Sequence, residues 1–168
     1  MGIENKMAQL KILKTGPGST IQDLGRSKST QFGVPRSGVA DTISARWVNH
    51  ILRNNEDFAL LEICQPGFKV SFEAQTQVAW AGGKVDVFLN SEKLNSIQQL
   101  QISAYDQLEF GRFEKGAKLY LGVSGGFQSQ EFLGSKSYFP NITASSFLKN
   151  GDLIPFPSFG SDSPCRFS

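Results

Sequence analysis

Histidine is almost missing from this sequence: His50 is the only one in 168 residues. A Ser-His-Asp or Cys-His mechanism therefore has a single place to stand, and His50 falls on the polar side of a helix. Cysteine is nearly as scarce, with Cys64 and Cys165 alone, which excludes a disulfide scaffold. Cys64 lies in the apolar run 58–64 and reads as a small buried hydrophobe. Cys165 lies in a polar stretch, where a free thiol fits a reducing compartment. No His/Cys cluster has ligand spacing, so no metal site is expected. No apolar run approaches the ~20 residues of a membrane span, and residues 1–9 lack the apolar core of a secretion signal. A cytoplasmic chain without a membrane partner is expected. Charge of either sign is also in short supply. Seventeen Lys and Arg against fifteen Asp and Glu leave +2, which gives no footprint for nucleic acid.

Glycine, proline and phenylalanine are plentiful instead, at 17, 7 and 14 residues. Glycines and prolines punctuate short apolar segments, a rhythm that predicts β structure. Strands are expected at 10–13, 19–24, 60–63, 68–72, 77–80, 85–89, 100–102, 108–110 and 118–123. Gly82-Gly83 divides two of them, Asn90-Ser91 makes a turn, and Lys115-Gly116 makes a charged hairpin. One helix follows the loop 25–38, capped by Asp41 and ended by Asn54-Asn55. Its expected apolar face is Ile43, Trp47, Val48, Ile51 and Leu52, with Arg46, Asn49, His50 and Arg53 on the other. Residues 155–168 hold three prolines and many serines and read as a tail after one domain, 1–154. The fold class is mainly β with one long helix, and closure into a barrel removes exposed edges.

Motif by motif, most chemistry is rejected. Gly82-Gly83-Lys84 resembles the end of a phosphate loop but lacks the upstream glycine and the following hydroxyl residue. Residues 122–126 lack dinucleotide-loop spacing, and the sequon Asn141-Ile142-Thr143 means nothing without a secretion signal. What remains is a set of polar residues in glycine-flanked loops: Gln22, Asp23 and Arg26 around Gly25, then Arg36, Ser37 and Asp41 around Gly38. Fixed loops are where polar contacts are held in place. Two readings stand for each carboxylate: Asp23 as an Asx-turn or a base, and Asp41 as a helix cap or a ligand contact. Glu62 reads equally well as structural. If the loops carry chemistry, Asp23 and Ser37 are the catalytic candidates, and Gln22, Arg26 and Asp41 bind substrate. Arg26 would hold a carboxylate through its fork, Ser37 and Gln22 would orient an amide, and Asp23 would act as base if burial raises its pKa.

The segments 20–26 (TIQDLGR) and 33–41 (GVPRSGVAD) together resemble the signature of allophanate hydrolase subunit 2. That family is also described as biotin-dependent carboxyltransferase-like and includes the C component of the prokaryotic 5-oxoprolinase. Further similar stretches are Leu61-Glu62-Ile63, Phe72-Glu73, Ala81-Gly82-Gly83, residues 120–127, residues 133–137 and Gly151-Asp152. The resemblance implies a cyclophilin-like β-barrel, one of two related barrels in the full subunit. It also implies a subunit 1-like barrel protein as partner, with a third hydrolase-like subunit in 5-oxoprolinase, and ATP-dependent cleavage of 5-oxoproline to glutamate. The family offers two other roles: the carboxyltransferase half-site of a urea carboxylase or allophanate hydrolase system, and a non-catalytic regulator binding an inhibitor of a sporulation kinase. No cofactor is expected in this chain; ATP and biotin would act only through the complex, and the chain alone is expected to be inactive.

Overall fold

The computed structural model describes residues 6–27, 30–95, 97–143 and 147–158; Cys165 and the end of the expected tail lie outside them. The strands are β1 (Lys6–Lys14), β2 (Thr20–Gln22), β3 (Leu60–Ile63), β4 (Phe68–Phe72), β5 (Thr76–Leu89), β6 (Glu92–Lys93), β7 (Gln99–Ile102), β8 (Gln107–Val123) and β9 (Leu153–Ser158). Helix α1 is Thr42–Ile51. The strands form one curled antiparallel sheet in the order β2-β3-β8-β4-β1-β9, with β5 pairing β6, β7 and β8. Among the described residues the chain is a mainly β barrel with one α-helix, as expected.

Alternation sorts the side chains onto two faces. Leu61 and Ile63, Val78 and Trp80, and Leu119, Leu121 and Val123 point into the barrel core with Leu10, Phe72 and Phe110. Their neighbours Leu60, Ala79, Ala81 and Tyr120 point outward and meet Val48 and Leu52 of α1. Strands buried on both faces read as continuous apolar runs, which is why these segments are plain in the sequence. The helix comes close because Gly122 has no side chain: a Cβ there would lie 2.7 Å from Val48 Cγ1.

The helix corrects its expected face. Ala45, Val48, Asn49 and Leu52 are buried, whereas Ile43 is 81% and Trp47 50% exposed. Asn49 takes the inward position because its amide is fully used. It donates to the Glu56 and Phe58 carbonyls at 3.2 and 3.0 Å and accepts from Asn54. A satisfied amide is cheap to bury. Trp47 lies outside, stacked on His50.

Three strand expectations also change. The glycines at 82–83 and 115–116 interrupt no strand; they sit at irregularities within β5 and β8, which run on through them. The tail expected from Pro155 begins as β9, paired with β1 through Ser158. Its prolines are tolerated by register. Gln9, opposite Pro155, spends its backbone groups on Glu73 on the other side of β1, so no N–H is needed at Pro155. Cys64 is only half-buried, its Sγ 3.3 Å from the Gly18 carbonyl.

Candidate functional site

The polar residues fall into two clusters. The first gathers Gln22, Asp23, Arg26 and Ser37 from the glycine-flanked loops. Gly25 and Gly38 let the loops touch: a Cβ on Gly25 would lie 2.5 Å from the Ser37 carbonyl oxygen, and both have φ near +90–100° (89° and 102°), where side chains are rarely found.

Asp23 is the hub. Its Oδ1 accepts from Gly25 N (2.8 Å), Ser135 Oγ (2.6 Å) and Ser137 Oγ (2.6 Å), and its Oδ2 from Lys136 N (2.6 Å). The Asp23 amide donates to Ser137 Oγ, and its carbonyl accepts from Val39 N. One carboxylate thus stitches the loops around residues 23–26 and 135–137 together. Arg26 is 1% exposed. Its Nε donates to the Phe132 carbonyl at 3.1 Å, its Nη2 to the Ser137 carbonyl at 2.6 Å, and its guanidinium lies 5.6 Å from the Phe132 ring centre. Burial lowers the Arg26 pKa, against the opposing charge of Asp23. Ser37, held at φ 56°, donates to the Tyr138 carbonyl at 2.7 Å. Gln22 Nε2 donates to Thr20 Oγ1 and reaches toward the same carbonyl at 3.5 Å.

Two atoms of this cluster are buried without a partner: Gln22 Oε1 and Arg26 Nη1. They belong to side chains whose other nitrogens meet adjacent carbonyls, those of Tyr138 and Ser137. One is an acceptor and the other a donor. Just past Phe132, whose carbonyl and ring hold Arg26, the chain turns at Leu133-Gly134 with φ of 49° and 76°, and Leu133 is 45% exposed.

Asp41 belongs to the second cluster. Its carboxylate caps α1, accepting from Ile43 N, Ser44 N and Ser44 Oγ. The Ser44 hydroxyl and amide hold its pKa below the usual carboxylate value, burial opposing. The Asp41 amide donates to Tyr120 Oη at 2.9 Å, and Tyr120 Oη donates to Glu62 Oε2 at 2.9 Å. That oxygen also accepts from Ala40 N, and Glu62 Oε1 accepts from Lys118 Nζ. Burial pushes the Tyr120 hydroxyl above its ordinary range. Burial works against the Lys118 ammonium too, yet its bond to Glu62 and that charge raise its pKa overall. The Cys64 thiol, 3.6 Å from Lys118 Nζ, is raised by burial and partly offset by the lysine.

Ser135, Ser137, Tyr138 and Lys118 were not singled out as site residues by sequence reasoning. The serine contacts cross 112 and 114 residues of chain, and only the alternating serines of 135–137 mark them. Among the described residues no group of three or more His, Cys, Asp and Glu side chains could hold a metal ion, and no helix is long and apolar enough to cross a membrane.

Fold and site together define, among the described residues, a β-barrel domain with one α-helix, one polar cluster gathered mainly on glycine-flanked loops and a second built on β3, β8 and the start of the helix. The family model described as "Carboxyltransferase domain, subdomain A and B" matches residues 32–166, and the chain belongs to that family. It is 32% identical over 154 residues to the urea amidolyase of Lachancea kluyveri, covering 89% of this chain and 8% of that one. It is 28% identical over 158 residues to the C component of the 5-oxoprolinase of Escherichia coli strain K12, covering 92% of this chain and 51% of that one. The crystal structure of the K. lactis urea amidolyase superposes with a TM-score of 0.82 at 32% identity, over 89% of this chain and 9% of that one. The chain therefore spans about half, or far less, of the relatives it matches.

Proposed function

We propose that this chain is the amide-handling barrel of an ATP-dependent 5-oxoprolinase-type complex, acting with a subunit 1-like partner and a third, hydrolase-like subunit. The observation that carries the reading is the pair of open atoms in the loop cluster. An amide or lactam presents one N–H and one carbonyl oxygen, the complement of Gln22 Oε1 and Arg26 Nη1. Ser37 and Asp23 then act as positioning groups. Asp23 has its oxygens engaged by four donors, so it holds the loops rather than taking a proton. Both atoms are shielded from solvent, so this reading requires the neighbouring Leu133-Gly134 turn to shift when a partner docks. Arg26 meets the substrate through Nη1 alone, because its other two nitrogens brace the loops. No cofactor is held by this chain; ATP enters through the complex.

A second reading has its own support, since the urea amidolyase of L. kluyveri matches at 32% identity. There the same pair of atoms orients a urea-like amide in a carboxyltransferase half-site, with biotin supplied by another component. Reconstitution separates the two. Glutamate release from 5-oxoproline and ATP, present with this chain and lost without it, supports the first. Bicarbonate-dependent carboxylation of urea with a biotin carboxylase, and no glutamate release, supports the second. Both activities persisting without the chain would overturn both readings.

A further inference from the structure

Between the β5–β8 ladder and the N-cap of α1 lies a concavity of about 580 Å³. The ladder between β5 and β8 breaks there. Gly82 opposes Leu119 and Lys84 opposes Lys115, so Gly83 alone faces Gly116, Ala117 and Lys118. Surplus residues on one strand bend it and re-aim their side chains, as bulges beside ligand sites do. The hollow is lined by Gly82, Gly83, Gly116 and Ala117 together with Lys84, Lys115 and Lys118. Gly82-Gly83-Lys84, which fails as a phosphate loop by sequence, thus forms one wall of a lysine-ringed hollow by a different route.

The charges around the hollow are unequal. Lys84 pairs with Glu114 at 2.7 Å, with both side chains largely in water, where such pairs hold weakly. Lys118 pairs with Glu62, whose side chain is 7% exposed and pinned by Tyr120 Oη and Ala40 N. A buried, three-way-held carboxylate cannot swing out, so it fixes the ammonium of Lys118, a residue that lines the hollow. An ammonium has three donors; one goes to Glu62 and another lies 3.6 Å from Cys64 Sγ. Lys115 is exposed and forms no ion pair among the described residues. Asp41 lines the far side, but both its oxygens are occupied by the start of α1. The hollow therefore offers ammonium donors and no free carboxylate.

We propose that this hollow is a binding site for a small oxyanion, a carboxylate or phosphate group held between Lys115 and Lys118. It is separate from the Asp23 cluster and does not depend on the reading of that cluster. The test is a titration of the ¹⁵N-labelled full chain with inorganic phosphate and, separately, acetate at constant ionic strength. The amide signals of Gly82, Gly83 and Gly116 are followed. Saturating shifts are expected with one of the two anions, and the anion that saturates identifies the source. Affinity should weaken by about tenfold or more in Lys115→Met and Lys118→Met, and hold in Lys118→Arg and in the control Lys11→Met. Lys115 is exposed, so its variant decides the matter if Lys118→Met does not fold. Shifts that rise linearly with both anions, or equal affinity in Lys115→Met, would overturn the proposal.

Discussion

Asp23 and Glu62 are both buried carboxylates, 8% and 5% exposed, yet their partners differ in kind. Asp23 is held by backbone amides and serine hydroxyls, all from loops. Glu62 is held by one amide, one phenol and one lysine, and the lysine reaches a solvent-facing hollow. Neutral donors converging on one acceptor make a lock. An acceptor shared with a half-exposed cation makes a mount for that cation. The first cluster sets loop shape, and the second sets where a positive charge stands.

The largest expected effect lies at the lock. Asp23→Ala strands two amides and two hydroxyls in a buried site and should cost about 3–5 kcal/mol. Glu62→Gln leaves Lys118 free to turn to water, since its side chain is 37% exposed, and should cost about half as much or less. Guanidinium titrations of the two variants check the order. A Glu62→Gln loss exceeding that of Asp23→Ala would break the comparison.

A smaller contrast lies across α1. Leu52→Ala, on the buried face, should cost about 2–4 kcal/mol. Trp47→Ala removes a ring that is 50% exposed and should cost no more than about 1 kcal/mol. Equal losses in urea would mean that the outer face is packed as well.

The smallest effect belongs to the helix cap. Asp41→Ala should cost about 1 kcal/mol at neutral pH. Because the folded-state pKa of Asp41 is lowered, that contribution is complete above the unfolded value near ~3.9. It is lost as pH falls through the folded value. The difference between wild type and Asp41→Ala should therefore vanish in acid and be flat from about pH 5 to 8. A difference that grows on acidification would contradict the cap geometry.

Much of this was legible in the sequence, for physical reasons that also mark where legibility ends. Strands buried on both faces, such as 60–63 and 118–123, announce themselves as apolar runs. Asp41 reads as a cap because capping is local, and the structure puts it there. The helix face was misread because Asn49 is polar by type but satisfied by Glu56 and Phe58 in place. Gly82-Gly83 and Lys115-Gly116 look like turns, whereas a two-strand irregularity needs both strands in view at once. Pro155 and Pro157 look like a tail because edge register is invisible in one dimension. Gln22, Asp23, Arg26 and Ser37 do come together, since glycines bring their loops into contact. Their partners Ser135 and Ser137 were hidden by distance along the chain.

The pair of open atoms in the loop cluster is the centre of the functional account, and Gln22→Met tests it most directly. Methionine keeps the length of the side chain and removes both the unsatisfied acceptor and the Nε2 bond to Thr20 Oγ1, so folding loses about 1 kcal/mol. In the reconstituted complex, kcat/KM for 5-oxoproline should fall by about tenfold or more while the melting temperature stays within about 2–3 °C of wild type. Turnover equal to wild type at equal melting temperature would contradict the account, because a substrate amide would then have no use for Gln22.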